Sequence, residues 1–233
     1  MSTNNFNELL SVMQLSDSFF PTGLYTNSNG LEILFYEKKV NDSDKLLNLI
    51  KALLTQQIGP ADCVALGSAY EFAKKNNIRG IIDVDQTIYM MKVVREIREA
   101  STRSGRQLIK CLTTFVKDNR ILDEYQNAIK DGLTFGSYPV AFAIACNVFE
   151  ISKEKAGLMM LYGFSVSIIG AAMRLGILEH FKSQRLIDEL KPTITMCVEN
   201  YIDRSLSNMW QFAPEVDIVQ ISHEKLDSKM FIT

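Results

Sequence analysis

Apolar residues recur at three- and four-residue spacing along most of this 233-residue chain, which predicts helices rather than strands. Asn5 to Gln14 carries Phe6, Leu9, Leu10 and Met13 on one stripe. A short helix over Leu31 to Tyr36 ends before Val40, and Asn41, Asp42 and Ser43 offer caps for the next. There Leu46, Leu47, Ile50, Leu53, Leu54 and Ile58 repeat until Gly59 and Pro60 stop the helix. The pattern resumes over Ala61 to Lys75. Ile81 to Asp85 is β-branched but has no partner strand nearby, so it reads as the start of a helix toward Val94. Further helices are expected over Ala100 to Val116, Leu122 to Leu133, Val140 to Phe149 and Ala156 to Leu175. Pro192 suits a helix start, which makes Ile194 to Trp210 the last long one.

Two stretches break the pattern. Between the first two helices, Leu15 to Glu32 combines turn formers (Pro21, Gly23, Gly30) with Phe19, Phe20 and Tyr25, more apolar surface than a solvated loop keeps. An ordered loop that is either a functional surface or a plug for the core fits that composition. From Phe212 onward a short tail holds Met230 and Phe231 without enough length to bury them alone, and it is expected to stay flexible until something docks. With few strand signals and no fixed-period repeat, the expectation is a single compact all-α bundle over residues 1–233, its tail from about 212 depending on a partner. Gly163, Gly170, Ala171 and Ala172 are expected to let helices approach closely.

Composition narrows the function. A net charge of −2 gives no field to recruit nucleic acid or an anionic membrane. Ala156 to Leu175 is long enough to cross a bilayer. Its glycines and serines, with Arg174 at its far end, suit a helix buried inside a helical domain instead. No signal-peptide pattern is visible before the first helix, and Cys63, Cys111, Cys146 and Cys197 lack CxxC spacing. The chain reads as cytoplasmic, with buried free thiols.

Candidate chemistry is sparse. The two histidines, His180 and His223, belong to no ligand pair, so neither a catalytic set nor a metal cage is expected. His223, beside Glu224, could supply one metal ligand or an interface hydrogen bond, with ligation completed by another chain. No phosphate-binding glycine pattern occurs, and no cofactor is implied. Lys92, Arg95, Arg98, Arg103 and Arg106 alternate with Glu96 and Glu99 and read as a solvated, intrahelically paired face. Arg174, on a nearly apolar helix, must find acceptors and is expected to tie down a loop or a second subunit. The residues alone describe a scaffold or regulator better than an enzyme. A small helical enzyme using Glu32, Arg174 or His223, or a generic adaptor, would be the alternatives.

Four motifs in order carry a resemblance to the urease accessory protein UreF family. The first is Leu15, Asp17, Ser18, Pro21 and Gly23, leading to Ser28, Gly30, Leu31 and Glu32. Arg98-Glu99-Ala100-Ser101 with Gly105-Arg106 follows, then Gly136 and Pro139 with Arg174-Leu175, Leu178 and Gln184. Last come Pro214, Asp217, His223-Glu224, Leu226, Lys229, Met230 and Phe231. The chain departs from the family pattern at Asn29, Ser137, Glu179, His180 and Lys229. The resemblance implies a dimeric, non-enzymatic bridge. Its expected partners are a UreD/UreH-type accessory protein and a UreG-type GTPase, during nickel delivery to apo-urease. It further implies partner surfaces at Phe19, Phe20, Pro21, Gly23, Tyr25, Ser28 and Glu32, and at His223, Glu224, Lys229, Met230 and Phe231. Gly30, Gly136, Pro139, Arg174 and Gln184 would brace the core or the dimer.

Overall fold

The computed structural model describes residues 3–23, 26–224 and 229–233, and no strand occurs among them. The helices are α1 (Thr3–Ser16), α2 (Leu31–Tyr36), α3 (Ser43–Leu53), α4 (Val64–Lys74), α5 (Ile78–Met91) and α6 (Arg95–Phe115). They continue as α7 (Arg120–Lys130), α8 (Tyr138–Val148), α9 (Lys153–Arg174), α10 (His180–Tyr201) and α11 (Pro214–His223). Short polar side chains fix several starts by accepting an orphan backbone N–H. Asp42 takes Lys45 N (2.9 Å), Asn77 takes Gly80 N (3.1 Å) and Asn119 takes Leu122 N (3.1 Å).

The hydrophobic core gathers around α8, whose residues Pro139 to Cys146 are all buried. It packs against α4 and α6, while α9 lies along α10. By length and composition α9 could cross a bilayer, yet Ala156, Gly157, Met160, Leu161, Ile168, Ala171 and Ala172 are buried inside the molecule. Close approaches also rest on glycines outside the set named above. A Cβ on Gly67 would sit 1.9 Å from Ile202 O, and one on Gly105 would sit 2.2 Å from Gly136 O. Gly163 faces open space, so close packing does not depend on it.

Three sequence expectations need correction. Gly59 and Pro60 do not stop a helix; a π-helical segment, Leu54–Cys63, carries the chain straight from α3 into α4. Pro60 lacks the N–H an α-helix would aim at Gln56 O, and that carbonyl instead accepts Phe212 N (2.9 Å). Pro192 lies inside α10 rather than at its start, on the exposed side, where water can reach the carbonyl it orphans. Lys92 leaves the solvated basic face altogether. It is buried, and its ammonium bonds both carboxylate oxygens of Asp62 at 2.8 Å.

Candidate functional site

Gly30 adopts φ 88°, a left-handed conformation that costs glycine little, and this turns the loop into α2. A Cβ there would meet Gln220 Cγ at 3.1 Å, so the turn also lets α11 lie close. Gln220 Nε2 donates to Asn29 O (3.2 Å) across that approach. The turn leaves Glu32 in the first turn of α2, buried, pointing at the end of the chain.

Glu32 meets three polar partners from residues nearly 200 positions away. Met230 N and Phe231 N donate to it at 2.9 and 3.2 Å, and His223 Nε2 lies 3.1 Å from its second oxygen. The other ring nitrogen, His223 Nδ1, lies 2.7 Å from Glu96 Oε2, on α6. Lys229 Nζ reaches the remaining Glu96 oxygen at 2.6 Å. Burial pushes the Glu96 carboxyl up, but hydrogen bonds from Lys229 and His223 outweigh it and hold the group below the usual glutamate range. Beyond the carboxylates, Ile232 N bonds Thr26 O (3.0 Å), and both the N–H and hydroxyl of Ser28 donate to Thr233 O. Arg174 stacks its guanidinium 4.5 Å from the Phe231 ring centre. Residues 229–233 are thus clasped between α2, α6 and the end of α9.

The predicted site residues divide by exposure. Ser28, Glu32, His223 and Phe231 are buried in this clasp, and Gly30 and Arg174 shape it. Met230 is 58% exposed on its rim, where Lys229 also reaches solvent, and Glu224 pairs with Arg95 at 3.5 Å. Phe19 is 94% exposed; with Phe20, Pro21 and Gly23 it walls a surface pocket of about 240 Å³ against Tyr138, Phe142, Met159 and Tyr162. Tyr25 and Leu226 lie outside the described residues. Gln184 and His180 are exposed on α10.

Gly136 and Pro139 belong to a second knot, organised by a residue the sequence did not single out. Asp85, fully buried, accepts Thr134 Oγ1 (2.5 Å) and the backbone N–H groups of Phe135, Gly136 and Ser137 at 3.0, 2.7 and 2.8 Å. Arg106 Nε donates to Phe135 O (2.7 Å) from α6. Glu96 was expected with Glu99 on a solvated, intrahelically paired face. Glu99 does face Arg95 at i+4 (3.9 Å), but Glu96 turns to His223 and Lys229 instead.

The clasp pairs two carboxylates with one imidazole and one ammonium. The two carboxylates sit on opposite edges of the imidazole, so they do not converge with it on one ion, and no metal-holding cluster occurs among the described residues. Burial pushes the thiols of Cys63 and Cys197 up to about 12 and about 11, so both stay protonated at neutral pH.

The UreF family model matches residues 40–191, more than half of the chain. The chain belongs to the UreF family. A urease accessory protein UreF from Trichodesmium erythraeum (strain IMS101) is 33% identical over 231 residues, covering 99% of both chains. A UreF from Bacillus sp. (strain TB-90) is 28% identical over 227 residues, covering 97% of this chain and all of its own. Urease accessory protein UreF 1 of Brucella melitensis biotype 1 is 29% identical over 224 residues, covering 96% of this chain and 92% of its own. The two terminal motifs of the clasp lie outside the span of the UreF model, while Glu96 and Arg174 lie inside it, and the match to the Trichodesmium protein covers 99% of the chain. Two of the five departures from the UreF pattern fall in or beside the clasp. Asn29 carries φ 53°, a left-handed value that asparagine tolerates better than most residues, and Lys229 makes its single bond to Glu96.

Proposed function

We propose that this chain is a non-enzymatic scaffold of urease maturation, working in the cytoplasm as a single-unit protomer of a homodimer. It bridges a UreD/UreH-type accessory protein and a UreG-type GTPase while nickel, the cargo, enters apo-urease. Membership of the UreF family supports the accessory role. The observation that carries the bridging part is the clasp: the two terminal motifs, quoted separately in the sequence, meet in one structure. Its buried members, Ser28, Glu32, His223 and Phe231, set the shape. Its exposed rim, Lys229 and Met230, together with the Phe19–Gly23 loop, offers surface to a partner. Large exposed apolar side chains beside polar ones suit that role.

The test is co-purification with the two accessory proteins, read alongside urease activation. Phe231→Ala and Lys229→Ala should weaken complex formation while circular dichroism stays helical. Unchanged co-purification with both partners would remove the tail from the interface.

A further inference from the structure

Each ring nitrogen of His223 faces a carboxylate oxygen, Nδ1 toward Glu96 at 2.7 Å and Nε2 toward Glu32 at 3.1 Å. An ionised carboxylate only accepts, and a neutral imidazole has one N–H to give. Satisfying both contacts takes a second proton, on the ring or on one of the carboxyls. All three groups are buried or nearly so, and water cannot substitute: His223 is 0%, Glu32 1% and Glu96 14% exposed. Leaving a lone pair against a buried carboxylate would cost the full penalty of an unmet polar contact.

We propose that the tail is held by a proton-operated latch: docking takes up one proton into the Glu32–His223–Glu96 bracket, and the tail loosens as pH rises. Charge balance favours the same state. Glu32 from α2 and Glu96 from α6 bring two negative charges, while Lys229 from the tail brings one positive, and imidazolium completes neutrality. The nearest other described charges cancel or lie aside: Arg95 pairs with Glu224 at 3.5 Å, and Arg174 stacks on Phe231 from α9. Opening the tail lets water replace these partners, so the extra proton is no longer required and returns to solvent. The docked population therefore falls with rising pH, by at most about tenfold per pH unit for one proton. The latch concerns the isolated chain and holds whichever partners the scaffold serves.

Hydrogen exchange of the Met230 and Phe231 amides, both donated to Glu32, reads docking directly. With correction for intrinsic exchange, their protection should fall as pH is raised from neutral into the alkaline range, by at most about tenfold per unit, while core amides such as Ile168 stay protected. Glu96→Gln separates the latch from general loosening. A glutamine N–H can donate to Nδ1 of a neutral ring while its oxygen keeps Lys229, so the tail should dock with protection independent of pH. The imidazole ¹⁵N shifts of His223 in the wild-type protein give a second readout, of a doubly protonated ring or of a shared proton with a carboxyl. Flat wild-type protection across that range, the same slope in Glu96→Gln, or a loss shared equally by Ile168 would each overturn the latch.

Discussion

One buried carboxylate can fix a turn by satisfying several backbone donors at once. Asp85 holds the turn from Thr134 to Ser137 by accepting one hydroxyl and three consecutive backbone N–H groups. Asp85→Ala strands all four donors in the interior, where each unmet group costs about 1–3 kcal/mol. Allowing for relaxation, urea unfolding should show a loss of about 3 kcal/mol or more. The neighbouring constraint is steric. Gly105→Ala would place a methyl 2.2 Å from Gly136 O, on backbone that Asp85 keeps from moving, so the variant should be destabilised by a similar amount and expose the same turn to exchange. Neither residue's role was legible in the sequence. Asp85 ends a β-branched run, and nothing in its spacing says which of several acidic residues turns inward. Gly105 was legible only as part of a family motif.

At the scale of elements, periodicity located most helices because each buries one apolar stripe, and it failed where proline was read too literally. Gly59-Pro60 and Pro192 both lie within continuous helix. The reason is tertiary in the first case: the carbonyl left without a partner by Pro60 is bonded by Phe212, and Pro60 O itself accepts Trp210 N at 3.2 Å. The π-helical widening is thus a docking edge for the segment leading into α11. Pro60→Ala would supply an N–H that competes for Gln56 O and lets the turn close as ordinary α-helix. Losing one hydrogen bond of about 1 kcal/mol should speed exchange of the Phe212 amide by about fivefold to tenfold, while α4 amides are unchanged.

Across the whole molecule the decisive contacts join the two ends of the chain. Met230 N to Glu32 spans 198 positions and Ser28 to Thr233 spans 205. Sequence reading located both motifs and treated them as separate surfaces, because side-chain spacing carries no information about which distant segments meet. Contacts of such separation form late and open first, since closing so long a loop costs entropy that only a few local bonds repay. Tail opening should therefore be a sub-global event that leaves the α4–α8–α6 core intact, and acid should trigger it as alkali does. Glu96 is held below the usual glutamate range with the tail docked, by Lys229 and His223 against the upward push of burial. A group depressed in the closed state contributes fully above its ordinary value, and the contribution is lost as pH falls through the depressed one. Protonating Glu96 removes the negative charge that Lys229 and the His223 ring face and turns one of its two accepting oxygens into a donor. Protection of the Met230 and Phe231 amides should accordingly peak between the carboxylate and imidazole ranges and fall on both sides. In Glu96→Gln the acid limb attributable to residue 96 should vanish together with the alkaline one. Glutamine has no proton to gain, and its N–H already serves the ring.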